Sequence, residues 1–329
     1  MQRLRRILPY TMNAQHRPHE IQEPLRVLPE VPAPARRSGS PSALIRLLRP
    51  HQWVKNALLL VPLLASHGVG GADALRHALL AFVSFCLCAS AVYVVNDAVD
   101  IESDRAHPRK RYRPFAAGEV SVKVAYALAP ALLVLAAVIA VFLPPRFGVA
   151  LALYAGTTAA YSFALKGLVL VDAICLAGLY TLRIIAGAAA AQVPLSFWLL
   201  LFAIFAFLSL AFVKRYAELD ALRRQQRLQA SGRGYHVEDL SVLETFGTAA
   251  GYLSVLVLAL YINSPDIEAL YRRPKYIWAL CVLMLFWISR VWMKAHRGSM
   301  HDDPVVFALK DPVSLAVGLL AAITVALAI

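Results

Sequence analysis

The sequence predicts an all-α integral membrane protein, a bundle of about nine transmembrane helices. Of the 329 residues, 59% are hydrophobic and only 16% are charged, and the mean hydropathy is positive. This composition is far more apolar than that of an ordinary soluble domain. Apolar runs long enough to cross a hydrocarbon core of about 30 Å recur along the chain. Because the backbone finds no hydrogen-bond partners in lipid, such runs must form helices.

The N-terminal region differs from the rest of the chain. Residues 1–41 contain many Arg and Pro but no sustained apolar stretch, so they predict a basic, disordered cytoplasmic tail rather than a signal peptide or a span. Residues 42–56 alternate aliphatic and basic side chains around Trp53, which is typical of an interfacial helix. Residues 42–329 are then expected to form one transmembrane domain.

The predicted spans follow one another with mostly short connections, and the first of them is the least apolar. They cover residues 57–72, 77–97, 121–143, 147–165, 168–191, 195–213, 243–262, 276–294 and 312–329. With a cytoplasmic N-terminus, the connections that carry most Arg and Lys fall on the cytoplasmic side, as the positive-inside rule requires. The dense polar clusters fall on that same side, which indicates one shared site.

The net charge of +13 fits cytoplasmic loops beside anionic headgroups and phosphate-bearing substrates. Nucleic-acid binding is a weaker reading of this charge, and we expect none. The four cysteines lie inside apolar runs without a paired His or Cys at metal spacing, so they are expected to be packing residues.

Three acids end the second predicted span. Asp97, Asp100 and Asp104 are spaced at three and four residues, which places them on one helix face. Carboxylates at a helix C-terminus repel one another and the helix dipole, so a cation must compensate. Mg²⁺ fits, with Asn96 as a further ligand, because this ion takes one or two carboxylates and completes its shell with substrate phosphates. Alternatively, the acids pair with the basic residues that follow.

Those basic residues form the stretch RAHPRKRYRP, which begins at Arg105 and contains two prolines that stiffen it. Such a loop suits a polyphosphate. Positive-inside topology explains the same charges without any substrate.

The motif NDxxDxxxD at the end of the second of nine spans resembles the UbiA superfamily of intramembrane prenyltransferases, and the resemblance covers about residues 42–329. The longer string NDAVDIESDRAHPRKRYRP is similar to the decaprenyl-phosphate phosphoribosyltransferase branch of that superfamily. The resemblance implies Mg²⁺ held by Asn96, Asp97, Asp100 and Asp104, and phosphates bound by Arg105, Lys110 and Arg113.

A second polar region separates two kinds of donor. Aromatic prenyltransferases of the superfamily carry a second DxxxD motif, whereas this chain has Tyr161, Lys166 and Asp172 in the equivalent stretch. A lysine there suits a bare phosphate better than a second Mg²⁺. The branch patterns YxxxLK and LRxxAG also match, and the second of them contains Arg183. Arg183 lies deep along its helix, so it binds substrate or is a structural buried cation.

The sixth predicted span ends FVKRYAELD, which is similar to a string of the same branch. Lys214 and Arg215 are candidates for binding a phosphate, and Glu218 for holding a ribose hydroxyl. The alternative is a helix end with an i,i+4 ion pair between Lys214 and Glu218. Farther on, Asp302 and Asp303 read as acids of a solvated loop.

The expected function is Mg²⁺-dependent transfer of 5-phosphoribose from phosphoribosyl pyrophosphate to a polyprenyl phosphate, with release of pyrophosphate. Asp97, Asp100 and Lys166 are the predicted catalytic residues. The site is expected to face the cytoplasm from a bacterial cytoplasmic membrane, and a homo-oligomer is compatible with the sequence. The rivals are a prenyltransferase that uses a polyprenyl diphosphate donor with a quinone or haem precursor, and a lipid-phosphate carrier without chemistry.

Overall fold

A computed structural model describes residues 40–66, 71–106, 109–226, 233–265, 267, 270–300 and 303–329. The tail predicted over residues 1–41 lies outside these residues except for its last two positions. The described helices are α1 (Pro41–Leu48), α2 (Val61–Ala65), α3 (Gly71–Val99), α4 (Ile101–Arg105), α5 (Lys123–Val141), α6 (Pro145–Phe163), α7 (Val171–Ala191), α8 (Phe197–Arg224), α9 (Leu240–Ile262), α10 (Trp278–His296), α11 (Pro304–Ala308) and α12 (Pro312–Ala328).

The predicted interfacial helix over residues 42–56 is divided in two. α1 begins where the Ser40 side chain accepts a hydrogen bond from the Ala43 amide, 3.3 Å away. It ends at Arg49, which has a φ of 51°. Pro50 causes this break, because a proline disfavours the helical conformation of the residue before it. The chain then continues as a 3-10 helix over Pro50–Leu60.

The first predicted span, residues 57–72, is therefore not a regular α-helix in the described part of the chain. The 3-10 helix Pro50–Leu60 leads directly into α2, which ends at Ala65. A 3-10 helix rises about 2.0 Å per residue and an α-helix about 1.5 Å. The 3-10 helix and α2 together therefore extend over about 30 Å. That length covers a hydrocarbon core.

Gly187 explains how the 3-10 helix packs so closely on α7. A Cβ at this position would overlap the backbone carbonyl of Leu59. Only glycine allows the two backbones to approach in this way.

The other eight predicted spans coincide with long helices. Six described helices are long and apolar enough to cross a membrane, and they are α3, α5, α7, α8, α9 and α10, the last two with their preceding 3-10 turns. α6 has 19 residues and α12 has 17. The structure thus confirms an all-α, multi-pass membrane protein.

α8 is longer than its predicted span, which ended at residue 213. It continues to Arg224, so the first part of the predicted 214–239 loop is helical. Asp220 stabilises this extension because it accepts hydrogen bonds from Arg223 at 2.6 Å and Arg224 at 2.8 Å, one turn farther along.

The helices pack as two halves that meet at α7. α9 lies along α8 with α10 beside it, and these three helices bury one hydrophobic cluster. α3, α6 and α7 bury a second cluster together with Leu59, and α1, α3 and α5 bury a third. The C-terminal ends of α3, α6 and α8 lie at the same end of the bundle as the N-terminal end of α7, which we call the polar end because ion pairs join them.

Candidate active site

The acid motif sits where α3 passes into α4. The Asp97 and Asp104 side chains are 2% and 1% exposed, whereas Asp100, between the two helices, is about a third exposed. The chain keeps a helical path here because the Asp100 amide bonds to the Asn96 carbonyl and the Asp104 amide to the Asp100 carbonyl. Two carboxylates therefore point into the protein and one lies at the opening. Asn96 is half-buried on the last turn of α3.

Two arginines hold the buried acids. Arg113 Nη1 lies 2.6 Å from Asp104 Oδ2 and 3.2 Å from Asp97 Oδ1. Arg49 forms a second ion pair with Asp97. The alternative to a metal site was that the acids pair with the basic residues that follow them, and Arg113 forms such a pair. Arg49 precedes the first span and was missed, because nothing in its spacing relates it to the motif.

Arg105 and Lys110 belong to the same basic stretch. Arg105 donates to the Ala116 carbonyl at 3.3 Å and pairs with Glu102 at 3.4 Å. Lys110 is exposed and begins a single 3-10 turn, Lys110–Tyr112, that leads into Arg113. The structure therefore brings Arg113 to the motif, whereas Arg105 contacts Glu102 and the Ala116 carbonyl.

Lys166 connects the acid motif to the second polar region. It lies in the short turn between α6 and α7, and its Nζ is 3.6 Å from Asp100 Oδ1. Both side chains are more than a third exposed. The structure therefore brings Lys166 opposite Asp100, and the pair lies at the mouth of the site.

The second polar region centres on Arg215. Its guanidinium is 1% exposed, and its Nε lies 2.6 Å from Asp172 Oδ2. The same group pairs with Glu218 and donates to the Tyr161 hydroxyl at 3.0 Å. The structure thus brings together Tyr161, Arg215 and Glu218, three of the predicted binding residues.

Arg233 completes this region and was not predicted. It lies 3.2 Å from Asp172 and 3.4 Å from Glu218, so two arginines face two carboxylates. The Tyr235 hydroxyl donates to Asp172 at 2.6 Å and accepts from the Leu170 amide at 2.9 Å. Leu170 has a φ of 65°, and this strained residue immediately precedes α7.

A third group of polar side chains lies around Asp303, whose side chain is only 12% exposed. Its Oδ2 lies 2.8 Å from Lys55 Nζ and 3.3 Å from Lys214 Nζ, and Tyr180 donates to its Oδ1 at 3.1 Å. The reading of Asp303 as an acid of a solvated loop is therefore wrong. Lys214 pairs with Asp303, so the alternative of a Lys214–Glu218 ion pair is not realised. Asp302 lies outside the described residues.

Burial of Asp303 disfavours its charge, but Lys214 and Lys55 outweigh this and hold the pKa of Asp303 well below its usual range. Asp303 was identifiable only as a helix cap, since its side chain accepts from the Val305 amide at the start of α11. Lys55 was read as interfacial, because a basic residue before an apolar run fits that position equally well.

Arg183 lies deep in the bundle. Its Nε donates to Asn56 Oδ1 at 2.9 Å, Nη1 to the Leu179 carbonyl at 2.7 Å and Nη2 to the Tyr154 hydroxyl at 2.9 Å. The rings of Tyr154 and Tyr180 lie 4.8 Å and 5.4 Å from its Cζ. These contacts favour the structural reading of this buried cation. Its assignment as a substrate ligand stays a prediction.

The donor set of the acid motif fits a hard divalent cation. Asn96 and the three acids offer only oxygen, which Mg²⁺ prefers. Asp104 Oδ1 is buried and has no hydrogen-bond partner among the described residues. In that part of the chain no three His, Cys, Asp or Glu side chains lie close enough to enclose a metal by themselves. Mg²⁺ does not need such an enclosure, because water and phosphate oxygens complete its shell.

The fold and the site together define a multi-pass integral membrane protein with a buried polar site at one end of its helix bundle. The model of the UbiA prenyltransferase family matches residues 58–311, so the chain belongs to this family of transferases. The family expected from the acid motif is thereby confirmed.

Curated relatives match this chain over different lengths. Nodulation protein NoeC of Azorhizobium caulinodans is 39% identical over 272 residues, 81% of this chain and 87% of that protein. Uncharacterized protein y4nM of Sinorhizobium fredii is 35% identical over 276 residues, 84% of this chain and 54% of that protein. The decaprenyl-phosphate phosphoribosyltransferase of Mycolicibacterium smegmatis is 44% identical over 187 residues, 56% of this chain and 59% of that protein. The chain thus spans little more than half the length of the last two.

Solved structures share the fold. A UbiA homolog from Archaeoglobus fulgidus bound to GPP and Mg²⁺ matches with a TM-score of 0.63 at 19% identity, over 86% of this chain and 97% of that one. The apo structure of a UbiA homolog from Aeropyrum pernix K1 matches with a TM-score of 0.58 at 16% identity, over 84% of this chain and 98% of that one.

Proposed function

We propose that this protein transfers 5-phosphoribose from phosphoribosyl pyrophosphate to a polyprenyl phosphate, in a Mg²⁺-dependent reaction that releases pyrophosphate. The observation that carries the proposal is the Lys166–Asp100 pair, 3.6 Å apart at the mouth of the site. Both acids of the second polar region, Asp172 and Glu218, are occupied by Arg215 and Arg233. These pairs leave neither acid open to a second metal ion, so Lys166 beside this region is better suited to bind a phosphate.

The acid motif is the proposed site of the pyrophosphate. Asn96, Asp97, Asp100 and Asp104 would hold Mg²⁺, which neutralises charge on the departing pyrophosphate. Arg113 positions two of these acids and can exchange one of them for a phosphate oxygen. An arginine suits this exchange because its planar donors match carboxylate and phosphate equally well.

The remaining residues have proposed roles in binding and orientation. Lys166, Arg105 and Lys110 bind phosphate oxygens at the opening. Tyr161, Arg215 and Glu218 form the wall beside the donor's sugar. The acceptor's phosphate oxygen is anionic before it reacts, so no general base is required. The rate then depends on electrostatic stabilisation by cations fixed in a site that excludes water.

The curated relatives support this assignment. One curated relative at 44% identity is named a decaprenyl-phosphate phosphoribosyltransferase. The match covers 59% of that protein. We place the site at the cytoplasmic face of a bacterial cytoplasmic membrane, because the basic connections lie at the polar end.

A second candidate is prenyl transfer from a polyprenyl diphosphate, which is favoured by the homolog whose structure contains GPP and Mg²⁺. One assay separates the two functions. Purified protein in lipid nanodiscs receives polyprenyl phosphate, Mg²⁺ and phosphoribosyl pyrophosphate labelled in the ribose. We expect labelled, lipid-extractable product that disappears when Mg²⁺ is chelated. No such product, together with turnover of a prenyl diphosphate, would establish the second candidate instead.

A further inference from the structure

The group around Asp303 holds more positive than negative charge. We call Lys55, Tyr180, Arg183, Lys214 and Asp303 the lysine cluster. It contains three cations and a single carboxylate. Arg183 has no carboxylate within ion-pair distance among the described residues, since its three hydrogen bonds go to uncharged oxygens. An excess of buried cations is costly in a bilayer protein unless an anion joins them.

The geometry at Asp303 resembles the coordination of an oxyanion. Lys55 and Lys214 both approach the same oxygen, Oδ2, at 2.8 Å and 3.3 Å, and Tyr180 donates to the other oxygen at 3.1 Å. The donors come from three separate parts of the fold, namely the 3-10 helix, α7 and α8. Two ammonium groups repel each other, so their convergence on one point requires negative charge at that point.

From this arrangement we propose that Lys55, Lys214 and Tyr180 form a binding subsite for a phosphate monoester, and that Asp303 competes with the phosphate for these donors. The proposal rests on the proposed function, in which both substrates carry such a group. A phosphate monoester carries a charge of about −1.5 to −2 and three acceptor oxygens. It therefore satisfies the two lysines and Tyr180 better than one carboxylate does. Asp303 moves away because two anions cannot share these donors.

Asp303 is suited to this exchange by its position. It directly precedes α11, a helix of five residues, and its side chain also accepts from the Val305 amide at 3.1 Å. The carboxylate thus keeps a backbone partner when the lysines turn to a phosphate. Its neighbour Pro304 is buried, which anchors this short segment to the bundle during the exchange.

The test measures binding of phosphate monoesters to the full chain in nanodiscs by isothermal titration calorimetry. Farnesyl phosphate represents the lipid acceptor, and ribose 5-phosphate represents the sugar phosphate of the donor. We expect Lys55→Met and Lys214→Met each to lower the affinity for one of these two probes about tenfold or more. Asp303→Asn is expected to strengthen binding of the same probe several-fold, because it removes the competing charge. The probe that responds identifies which substrate supplies the phosphate.

Lys123→Met is the matched control, since it removes an exposed lysine at the start of α5, and we expect both affinities to stay unchanged. Unchanged affinities for both probes in Lys55→Met overturn the subsite, as does weaker binding in Asp303→Asn. Melting temperatures identify any variant that is not folded. If Asp303→Asn is not folded, Lys55→Arg replaces it. Binding that is retained in Lys55→Arg and lost in Lys55→Met supports the subsite. Equal binding in these two variants overturns it.

Product formation from labelled phosphoribosyl pyrophosphate is recorded on the same preparations, which separates the two proposals. If the wild type forms product and Lys55→Met leaves the affinity for both probes unchanged, the subsite is rejected and the phosphoribosyl donor is kept. The expected variant pattern without any product rejects the phosphoribosyl donor alone and leaves the subsite in place.

Discussion

Arg215 and Asp172 form an ion pair that is almost completely buried, with Nε and Oδ2 2.6 Å apart and side chains 1% and 0% exposed. The pair joins α8 to the start of α7. Loss of one partner leaves a buried charge without compensation, which typically costs about 3–5 kcal/mol. This pair therefore braces the wall of the candidate site.

We expect Asp172→Asn to lower the free energy of unfolding by about 3 kcal/mol or more, because Arg215 and Arg233 lose a shared partner. Unfolding in mixed micelles, followed by circular dichroism, measures this. Asp73→Asn is the control, since it breaks an exposed pair with Arg76 and should change stability by less than about 1 kcal/mol. Equal effects of the two substitutions would contradict a bracing role.

Gly187→Ala should destabilise the protein by about 1–3 kcal/mol, because the added Cβ overlaps the Leu59 carbonyl. The 3-10 helix must then move away from α7. Gly178→Ala on the same helix is the matched control. A Cβ there meets no atom within 4 Å, so we expect this variant to be neutral or slightly more stable. Thermal melts of both variants check the prediction, and a neutral Gly187→Ala would show that the close approach is not required.

Asp97→Asn should reduce turnover about 10²-fold or more and raise the Mg²⁺ concentration needed for half-maximal activity, since the amide carries no charge. Rates measured across a Mg²⁺ series give both values. Asp73→Asn again serves as control and should leave both values unchanged. A variant with reduced turnover at an unaltered Mg²⁺ requirement would place Asp97 outside the metal site and leave it a partner of Arg49 and Arg113.

Lys166→Met should raise the KM for phosphoribosyl pyrophosphate about tenfold, because a charge-assisted hydrogen bond to phosphate is lost. Lys166→Arg should retain much of the activity. Lys123→Met controls for the loss of one positive charge and should behave like the wild type. An unchanged KM in Lys166→Met would limit Lys166 to its pair with Asp100.

The segment that precedes the first span differs from the helix that its sequence pattern predicted. The alternation over residues 42–56 predicted one interfacial helix, but Pro50 ends α1 and a 3-10 helix follows. The proline was visible in the sequence. The 3-10 path was not, because it depends on the contact of Leu59 with Gly187, more than a hundred residues later.

The polar clusters show the same division. The motif and the turn between α6 and α7 were enough to predict that Asp100 and Lys166 face one site, and Tyr161, Arg215 and Glu218 were expected to contribute to it. The partners that came from elsewhere were missed. Arg49, Lys55, Arg233 and Asp303 reach the clusters from parts of the chain whose sequence is that of ordinary basic or capping residues.

The sequence by itself determined the bilayer environment, the helical architecture, the family and the acid motif, because the length of apolar runs and the spacing of acids are local properties. Only the tertiary structure decided which cation meets which acid. Lys55 and Asp303 are 248 positions apart, and their pair exists because the 3-10 helix, α8 and the segment before α11 pack together. Charge pairing over such separations depends on packing, and no periodicity in the chain encodes it.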